Sequence, residues 1–340
     1  MNIIFDISHP AHINLFKHSI YYYQKQKKYN VYVTCLRRGK LPLIAKEELK
    51  GVNLTFVGRH RGTTLSIIFE ANIRKFIELL FFVIKHKIKF GVSAGSIPLG
   101  AALKLIGRNN IQFDDDPERS KNVFLEKLTA DVVFTPPILT ESKKIVNFNA
   151  LKEWAYLSPK YFSPNIIALD KLNLKPKEYI FAREVSTGSL NYSNQKPGEI
   201  LSFSDKMPKN MKVILSLEDK NLAEFYPKDW IILKEPITDI HSLIYYSFAL
   251  ISSGDSMARE GAQLGVPSIY CGFRDMKANK ILVEQQMLFE MKPDEVCEMI
   301  DDLMTKKIEV TDQDIFRKEL ETKWDDLTQL IISKVKSYEK

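Results

Sequence analysis

The sequence predicts an α/β protein built from two doubly wound, Rossmann-like domains. Short apolar runs alternate with helical segments along both halves of the chain, which is typical of parallel sheets covered by helices. The alternation breaks once, where five prolines fall between Pro136 and Pro176. The length of 340 residues also favours two domains of ordinary size. We therefore expect domains at residues 1–165 and 166–340, with the last helix packing back on the first domain.

In the first domain we predict six strands, and polar or small residues follow several of them. His9 and His12 come after the first strand, Gly95 and Ser96 after the fourth, and three aspartates at 114–116 after the fifth. Doubly wound sheets bind ligands beyond the carboxyl ends of their strands, so these residues are candidates for a substrate site. The predicted strands are 2–7, 31–35, 54–57, 90–93, 110–113 and 132–134, and the long helices are 13–27 and 65–86.

The most informative stretch is 251–267 in the second domain, with the pattern strand, Ser-Gly turn, helix, Gly stop and strand. Gly254 in the turn is free to take a positive φ angle. Such a turn points backbone N–H groups and the positive helix end outward, which suits a diphosphate. Glu260 lies about two helical turns after Ser253, within reach of a ribose; the alternative is a plain crossover with a solvated Glu260. The other predicted strands are 179–182, 213–215, 230–233 and 267–270, and the last helices are 278–287, 293–305 and 312–337.

The composition excludes several classes of protein. The chain is 45% hydrophobic with a net charge of +7, which fits a protein that binds an anionic ligand or rests on a membrane surface. The basic residues are spread along the chain without a recognition motif, so we expect no nucleic-acid partner. Cys35, Cys271 and Cys297 form neither a metal-binding spacing nor a disulfide framework, and we interpret them as buried cytosolic thiols.

The sequence predicts a cytoplasmic protein. Its N-terminus has the pattern of a first strand and not of a signal peptide. The longest apolar run, 76–84, is interrupted by Glu78 and is too short to span a bilayer. Because basic residues flank this run, it is either a core helix with solvated ends or a helix resting peripherally on the inner face of an anionic membrane.

Five motifs that run through both domains resemble one family. They are residues 5–13, 58–62, 93–96, 113–115 and 256–260. The chain resembles the GT-B arrangement of nucleotide-sugar glycosyltransferases and of the non-hydrolysing UDP-N-acetylglucosamine 2-epimerases. It resembles more closely domain of unknown function 354, a GT-B-like family without an assigned reaction. The resemblance implies two Rossmann-like domains with an interdomain cleft that binds a nucleotide sugar.

The resemblance implies that the second domain holds the nucleotide. Ser253, Gly254 and the N–H groups of Asp255 and Ser256 would hold the diphosphate, and Glu260 would hold the ribose hydroxyls. The Ser-to-Glu spacing is similar to that of the N-acetylglucosaminyltransferase that makes lipid II. Asp255 departs from the pattern, since Gly is usual there. A carboxylate beside a diphosphate is unfavourable unless it points away or meets a cation.

Two further residues of the second domain are donor-binding candidates by resemblance. Arg183 corresponds to a basic residue that contacts donor phosphates in related enzymes, where a guanidinium would offset charge on the leaving diphosphate. Its alternative is an ion pair with Glu184 or a nearby carboxylate. Ile237 follows a strand where GT-B enzymes offer backbone to the nucleobase, so it is expected to meet the base.

For the first domain the resemblance implies a catalytic base. His12 lies where that transferase carries a Gly-rich loop ending in His, and imidazole accepts protons near neutral pH; the alternative is that His12 caps the helix or hydrogen-bonds an acceptor. His9 would shape the loop. Asp114 or Asp115 would face the cleft, as an acidic residue does in the 2-epimerases, and Asp116 would cap the next helix. We expect no metal, because no Asp-x-Asp element follows the run.

Together these features predict an inverting, metal-independent glycosyltransferase that uses a nucleotide-diphosphate sugar, with UDP as the expected nucleotide. It would act in cell-surface polysaccharide or glycoconjugate synthesis on an acceptor glycan or a lipid-linked sugar, without a cofactor. One alternative is a sugar-nucleotide 2-epimerase or hydrolase, which needs several carboxylates around the sugar. The other is a non-catalytic GT-B-like binding protein, and Asp255 keeps this alternative open.

Overall fold

A computed structural model describes residues 1–61, 66–114, 120–188, 192, 194–234 and 239–339 of the chain. The chain forms two compact units. The first comprises Met1–Tyr156 and Trp324–Lys340, and the second comprises Leu157–Lys323. The division therefore falls after Tyr156, earlier in the chain than the predicted 165, and the last helix belongs to the first unit. Within the described ranges, every helix is too short or too polar to cross a bilayer.

The first unit contains a parallel seven-stranded sheet with the strand order β3-β2-β1-β4-β5-β6-β7. Its strands are β1 (Asn2–Ile7), β2 (Asn30–Arg38), β3 (Leu54–His60), β4 (Phe90–Ala94), β5 (Asn109–Phe113), β6 (Val132–Thr135) and β7 (Ile145–Asn147). Its helices are α1 (Pro10–Gln24), α2 (Leu41–Glu48), α3 (Lys75–Lys85), α4 (Ile97–Leu105) and α5 (Ser120–Thr129), with α6 (Trp154–Leu157) at the division between the units.

The second unit contains a parallel six-stranded sheet with the strand order β10-β9-β8-β11-β12-β13. Its strands are β8 (Tyr179–Glu184), β9 (Lys212–Leu217), β10 (Ile231–Ile232), β11 (Ala249–Ser252), β12 (Ser268–Tyr270) and β13 (Leu288–Glu290). Its helices are α7 (Ile167–Asp170), α8 (Ile240–Tyr245), α9 (Asp255–Gln263), α10 (Lys277–Val283), α11 (Val296–Met304) and α12 (Gln313–Lys323). Short 3₁₀ turns cover Leu201–Lys206, Lys220–Phe225 and Pro293–Glu295.

The predicted fold class is confirmed, because each unit is a parallel sheet whose strands alternate with helices. The strands are nearly continuous apolar runs because both faces of such a sheet are covered. In β1, for example, Ile3, Ile4, Phe5 and Ile7 are fully buried. Asp6 in the same strand is also fully buried, and it is the charged exception in this apolar strand.

Three predicted helices differ in the structure. The first begins at Pro10 and not at 13, because the ring of His9 caps it and proline suits its first position. The described part of the second predicted helix, from residue 66 onward, is a π-helical segment, Ser66–Arg74, followed by α3. The helix at 312–337 is divided into α12 and α13 (Leu327–Ser337), because Asp326 caps α13 through the N–H of Gln329.

The C-terminal helix α13 packs on α1 within the first unit. The hydroxyl of Tyr23 in α1 donates to the carbonyl of Ile332 at 2.6 Å, and Ile331 and Val335 are buried. Trp324, just before α13, meets Trp154 edge-on. The end of the chain thus supplies part of the core of the first unit. Two of the three cysteines are buried as predicted, and Cys297 is only half-buried.

Candidate functional site

Each sheet has a switch point, the place where the strand order reverses and where doubly wound proteins bind ligands. In the first unit it lies between β1 and β4, and in the second between β8 and β11. The structure gathers most predicted site residues at these two places. The loop after β1 carries His9, the first turn of α1 carries His12, and the loop after β4 carries Gly95 and Ser96. In the second unit Arg183 lies in β8, Ser253 and Gly254 follow β11, and Asp255 and Ser256 begin α9.

A buried ion pair underlies the switch point of the first unit. Asp6, at the end of β1, accepts from Lys75 Nζ at 2.6 Å, from Ser96 Oγ at 2.5 Å and from Thr34 Oγ1 at 2.7 Å. Lys75 is 2% exposed and also donates to Ser8 Oγ at 2.7 Å. The pair therefore ties together β1, β2, α3 and the start of α4. Neither residue was predicted as part of the site, although a charged residue inside an apolar strand and a lysine in an apolar helix are the available signals.

The two histidines after β1 have different positions. His9 is exposed and caps α1, since its Nδ1 accepts from the N–H of Ala11 at 3.3 Å. His12 is half-buried in the first turn, and its Nδ1 accepts from the N–H of Ser8 at 3.3 Å. This contact assigns the proton of the neutral His12 ring to Nε2. The neutral ring is therefore oriented to donate a hydrogen bond from Nε2.

The loop after β4 and the end of β5 complete the polar part of this region. Gly95 has a φ of +61°, and a side chain there would lie 3.2 Å from the carboxylate of Glu126. The hydroxyl of Ser96 is buried and used by Asp6. Asp114 is half-buried directly after β5, and its N–H donates to the carbonyl of Phe134 at 2.9 Å. Asp115 lies outside the described residues.

In the second unit, Gly254 precedes α9 with a φ of −113°. Gly254 therefore does not use its freedom to take a positive φ, and its backbone is in the extended region that any residue can adopt. Glycine is required here for space, because a Cβ atom would lie 2.5 Å from the side chain of Val185. This close approach between Gly254 and Val185 packs the start of α9 against the loop that follows β8.

The hydroxyl of Ser253 is turned into the protein. It donates to Glu184 Oε1 at 2.7 Å and accepts from the N–H of Val185 at 3.0 Å. Glu184 also accepts from the N–H of Ile200 and from the hydroxyl of Tyr226. Burial raises the pKa of Glu184. Ser253 therefore locks β11 to β8, and a ligand at this turn would meet backbone N–H groups instead of its hydroxyl.

Asp255, the first residue of α9, meets two guanidinium groups. Its carboxylate lies 3.2 Å from Arg259 Nη1 and 3.3 Å from Arg274 Nη1, and it accepts from the hydroxyl of Tyr192 at 2.6 Å. Asp255 is 2% exposed and Arg259 is 1% exposed, whereas Arg274 is half-buried after β12. Burial, together with the charge of Asp255, raises the pKa of Tyr192, which keeps the phenol protonated as a donor. The negative charge that makes Asp255 unusual is thus compensated.

The start of α9 presents backbone donors. Gly254 has no side chain to cap the helix, and the first N–H groups of an α-helix find their acceptors outside the helix. Helix N-termini of this kind carry partial positive charge and bind anions. Arg274 adds a full positive charge beside it. The arrangement favours an anionic ligand.

Glu260 lies in the second turn of α9 and faces α8. Its Oε1 is 3.4 Å from Nε2 of His241, and the two side chains are 12% and 18% exposed. No sequence signal distinguished His241 as part of this pair. Ile237, predicted to meet the nucleobase, lies outside the described residues.

Arg183 is engaged by a carboxylate at the end of β9. Its Nη1 donates to Ser216 Oγ at 2.7 Å and its Nη2 forms an ion pair with Glu218. Glu218 also accepts from the N–H of Ser186 at 2.8 Å. The ion-pair alternative to donor binding is thus present, with Glu218 as the partner instead of Glu184. Among the described residues, His, Cys, Asp and Glu side chains form no group of three that could hold a metal ion.

Comparisons with solved structures identify the fold. The UDP-GlcNAc 2-epimerase of Methanocaldococcus jannaschii, solved with UDP-GlcNAc and UDP, is 13% identical with a TM-score of 0.71, over 99% of this chain and all of that chain. The spinosyn forosaminyltransferase SpnP (12% identity, TM-score 0.70) and the glycosyltransferase VinC in complex with DTDP (11%, 0.68) each match over the full length of both chains. At such low identity the likeness is evidence of fold alone, and the fold is GT-B-like.

A search of curated proteins finds no match. A family model does match, and it covers residues 1–340. The chain therefore belongs to the family described as "Protein of unknown function (DUF354)".

Proposed function

We propose that the protein is an inverting, metal-independent glycosyltransferase that uses a nucleotide-diphosphate sugar, with UDP as the nucleotide. The observation that carries this proposal is the start of α9, where two guanidinium groups neutralise Asp255. The fold supports it, since proteins of similar structure were solved with UDP, UDP-GlcNAc and DTDP. The reaction would serve the synthesis of a cell-surface polysaccharide or glycoconjugate.

In this proposal the second unit binds the donor. The N–H groups of Asp255 and Ser256 hold the diphosphate, and Arg274 lies beside it. Two positive guanidinium groups around one carboxylate leave the surroundings of the helix start positive, so the diphosphate is attracted. As the glycosidic bond breaks, negative charge grows on the leaving diphosphate, and preorganised donors stabilise it. Glu260, whose carboxylate contacts His241, accepts hydrogen bonds from the ribose hydroxyls.

The first unit supplies the proton acceptor. Sugar transfer requires a base that takes a proton from the acceptor hydroxyl. His12 was the first candidate, but Nδ1 receives the N–H of Ser8, so the neutral ring donates from Nε2. We therefore assign the base to Asp114, with Asp115 as the second candidate, and give His12 the role of a donor that orients the acceptor. The acceptor is a glycan or a lipid-linked sugar.

The proposal is tested by incubating the protein with a panel of UDP-sugars, with and without acceptor glycans and lipid-linked sugars, and measuring free UDP and sugar epimers. A transferase releases UDP only when a suitable acceptor is present. A Glu260→Ala variant should then raise KM for the donor by about tenfold, as expected for the loss of one charged hydrogen bond. Epimer formation without acceptor would show the 2-epimerase alternative, and binding without turnover would show a non-catalytic protein.

The role of His12 is separable by two substitutions. His12→Gln keeps an N–H donor near the position of Nε2 but cannot accept a proton. With an acceptor that supports turnover, we expect His12→Gln to retain kcat/KM within about tenfold and His12→Ala to lose about 10²-fold. Equal and large losses in both variants would return the role of base to His12.

We also propose that the first unit rests on an anionic membrane. Right-handed crossovers place α3, α4 and α5 on one side of the sheet, and these helices pack side by side. Their outer face exposes apolar side chains, with Phe81 69% exposed. The outer face comprises Ile73, Ile77, Phe81, Ile84, Leu105, Phe124 and Leu128.

The charges around this outer face match an anionic bilayer. The exposed cations around it are Arg74, Lys85, Lys87, Lys89, Lys104 and Arg108. The nearby carboxylates, Glu70 and Glu78, already pair with Arg61 and Arg74. An apolar helical face edged by lysine and arginine is typical of helices that lie in the membrane interface.

Co-sedimentation with phosphatidylcholine vesicles, with and without phosphatidylglycerol, tests this contact. Phe81→Asp should weaken binding to the anionic vesicles by about tenfold or more, because a buried Phe contributes about 1.5–3 kcal/mol. Phe225→Asp is the matched control, since Phe225 is 62% exposed and lies in the second unit, so it belongs neither to this face nor to its cations. Equal effects of the two substitutions, or equal binding to neutral vesicles, would contradict the proposal.

A further inference from the structure

The carboxyl ends of β2 and β3 bring like charges together. The strand register pairs Arg37 with Arg59 and Arg38 with His60, after a shift that follows Leu36. Gly58, with a φ of +56°, lies at this irregularity. Like charges on directly opposed residues destabilise a sheet. Three of these four opposed residues are arginines, so an anionic ligand at this end of the sheet would relieve their repulsion.

These strand ends border a surface pocket of about 450 Å³. Four of its eight lining residues carry a permanent positive charge, and within the described part of the chain no carboxylate lines it. The aromatic ring of Phe56 forms part of its wall, with Lys46 Nζ 5.6 Å from the ring centroid. The lining residues are Arg37, Gly39, Pro42, Lys46, Phe56, Arg59, His60 and Arg61.

Two lining arginines pair with carboxylates of the helical segment that follows β3. Glu78 lies 3.6 Å from Arg37 and Glu70 lies 3.3 Å from Arg61. Glu78 also binds Arg74 and the N–H of Gly58, both at 2.7 Å. These two carboxylates neutralise only part of the positive charge around the pocket, so the pocket region keeps a net positive charge. Burial, followed by the charge of Arg38, lowers the pKa of His60, which agrees with positive surroundings.

We propose that this pocket, formed by the ends of β2 and β3 with α2, binds a phosphoryl or diphosphoryl group. Guanidinium groups match phosphate oxygens in a bidentate geometry, and several fixed cations favour a group with more than one negative charge. The diphosphate of the donor is already assigned to the start of α9 in the second unit. The phosphoryl group in this pocket therefore belongs to the acceptor; this identification rests on the proposed transferase function, whereas the anion site itself does not.

The test uses inorganic pyrophosphate as the probe and calorimetry on the full chain. Titrations are run with saturating UDP present, so that the start of α9 is occupied. The variant Arg59→Gln/Arg61→Gln removes two charges from the pocket. The control Lys171→Gln/Lys175→Gln removes two exposed charges from the second unit, so both variants have the same net charge. A second arm measures binding of the same variants to vesicles with and without phosphatidylglycerol.

We expect the pocket variant to bind pyrophosphate at least about tenfold more weakly than the wild type, and the control to stay within about twofold. If the pocket variant weakens only vesicle binding, the site recognises the phosphate of a lipid headgroup. Equal pyrophosphate and vesicle binding in both variants would overturn the proposal. Failure of UDP to bind the wild type would count against the donor site alone. The difference in pyrophosphate affinity between the pocket variant and the control would still test the pocket.

Discussion

The neutralisation of Asp255 by Arg259 and Arg274 is the interaction on which the proposed donor site depends. An isolated buried carboxylate would be costly, and it would repel a diphosphate at the same place. The contacts at 3.2 and 3.3 Å remove both difficulties. They also explain why a departure from the usual glycine is compatible with an anion site at the start of α9.

The switch point of the first unit follows the same principle. Asp6 is fully buried at the end of β1 and is compensated by Lys75, which is itself 2% exposed. Removal of one member of such a pair leaves an uncompensated buried charge, so both members hold the loop geometry in place. Through Ser8 and Ser96 this pair fixes the backbone that carries His9, His12 and Gly95. Each unit therefore positions its candidate site with a buried, paired carboxylate.

Much of the fold was predictable because strand identity is encoded locally. Continuous apolar runs located most strands, and the residues that follow them located the two switch points. The distant partners of the buried carboxylates were not predictable, since Lys75 is 69 residues from Asp6 and Arg274 is 19 residues from Asp255 in the chain. The reason for glycine at position 254 is space beside Val185, which is a tertiary property. The division of the last predicted helix depends on the cap that the Asp326 side chain forms at the start of α13. This cap was likewise not predicted from the sequence.

Isothermal titration of UDP into the wild type and the Arg274→Gln variant tests the central claim most directly, with thermal unfolding as the check that the variant is folded. We expect UDP to bind the wild type and to bind the variant at least about tenfold more weakly, because the charge of Asp255 is then less compensated. Unchanged UDP affinity in a folded Arg274→Gln variant, or no UDP binding by the wild type, would contradict this claim.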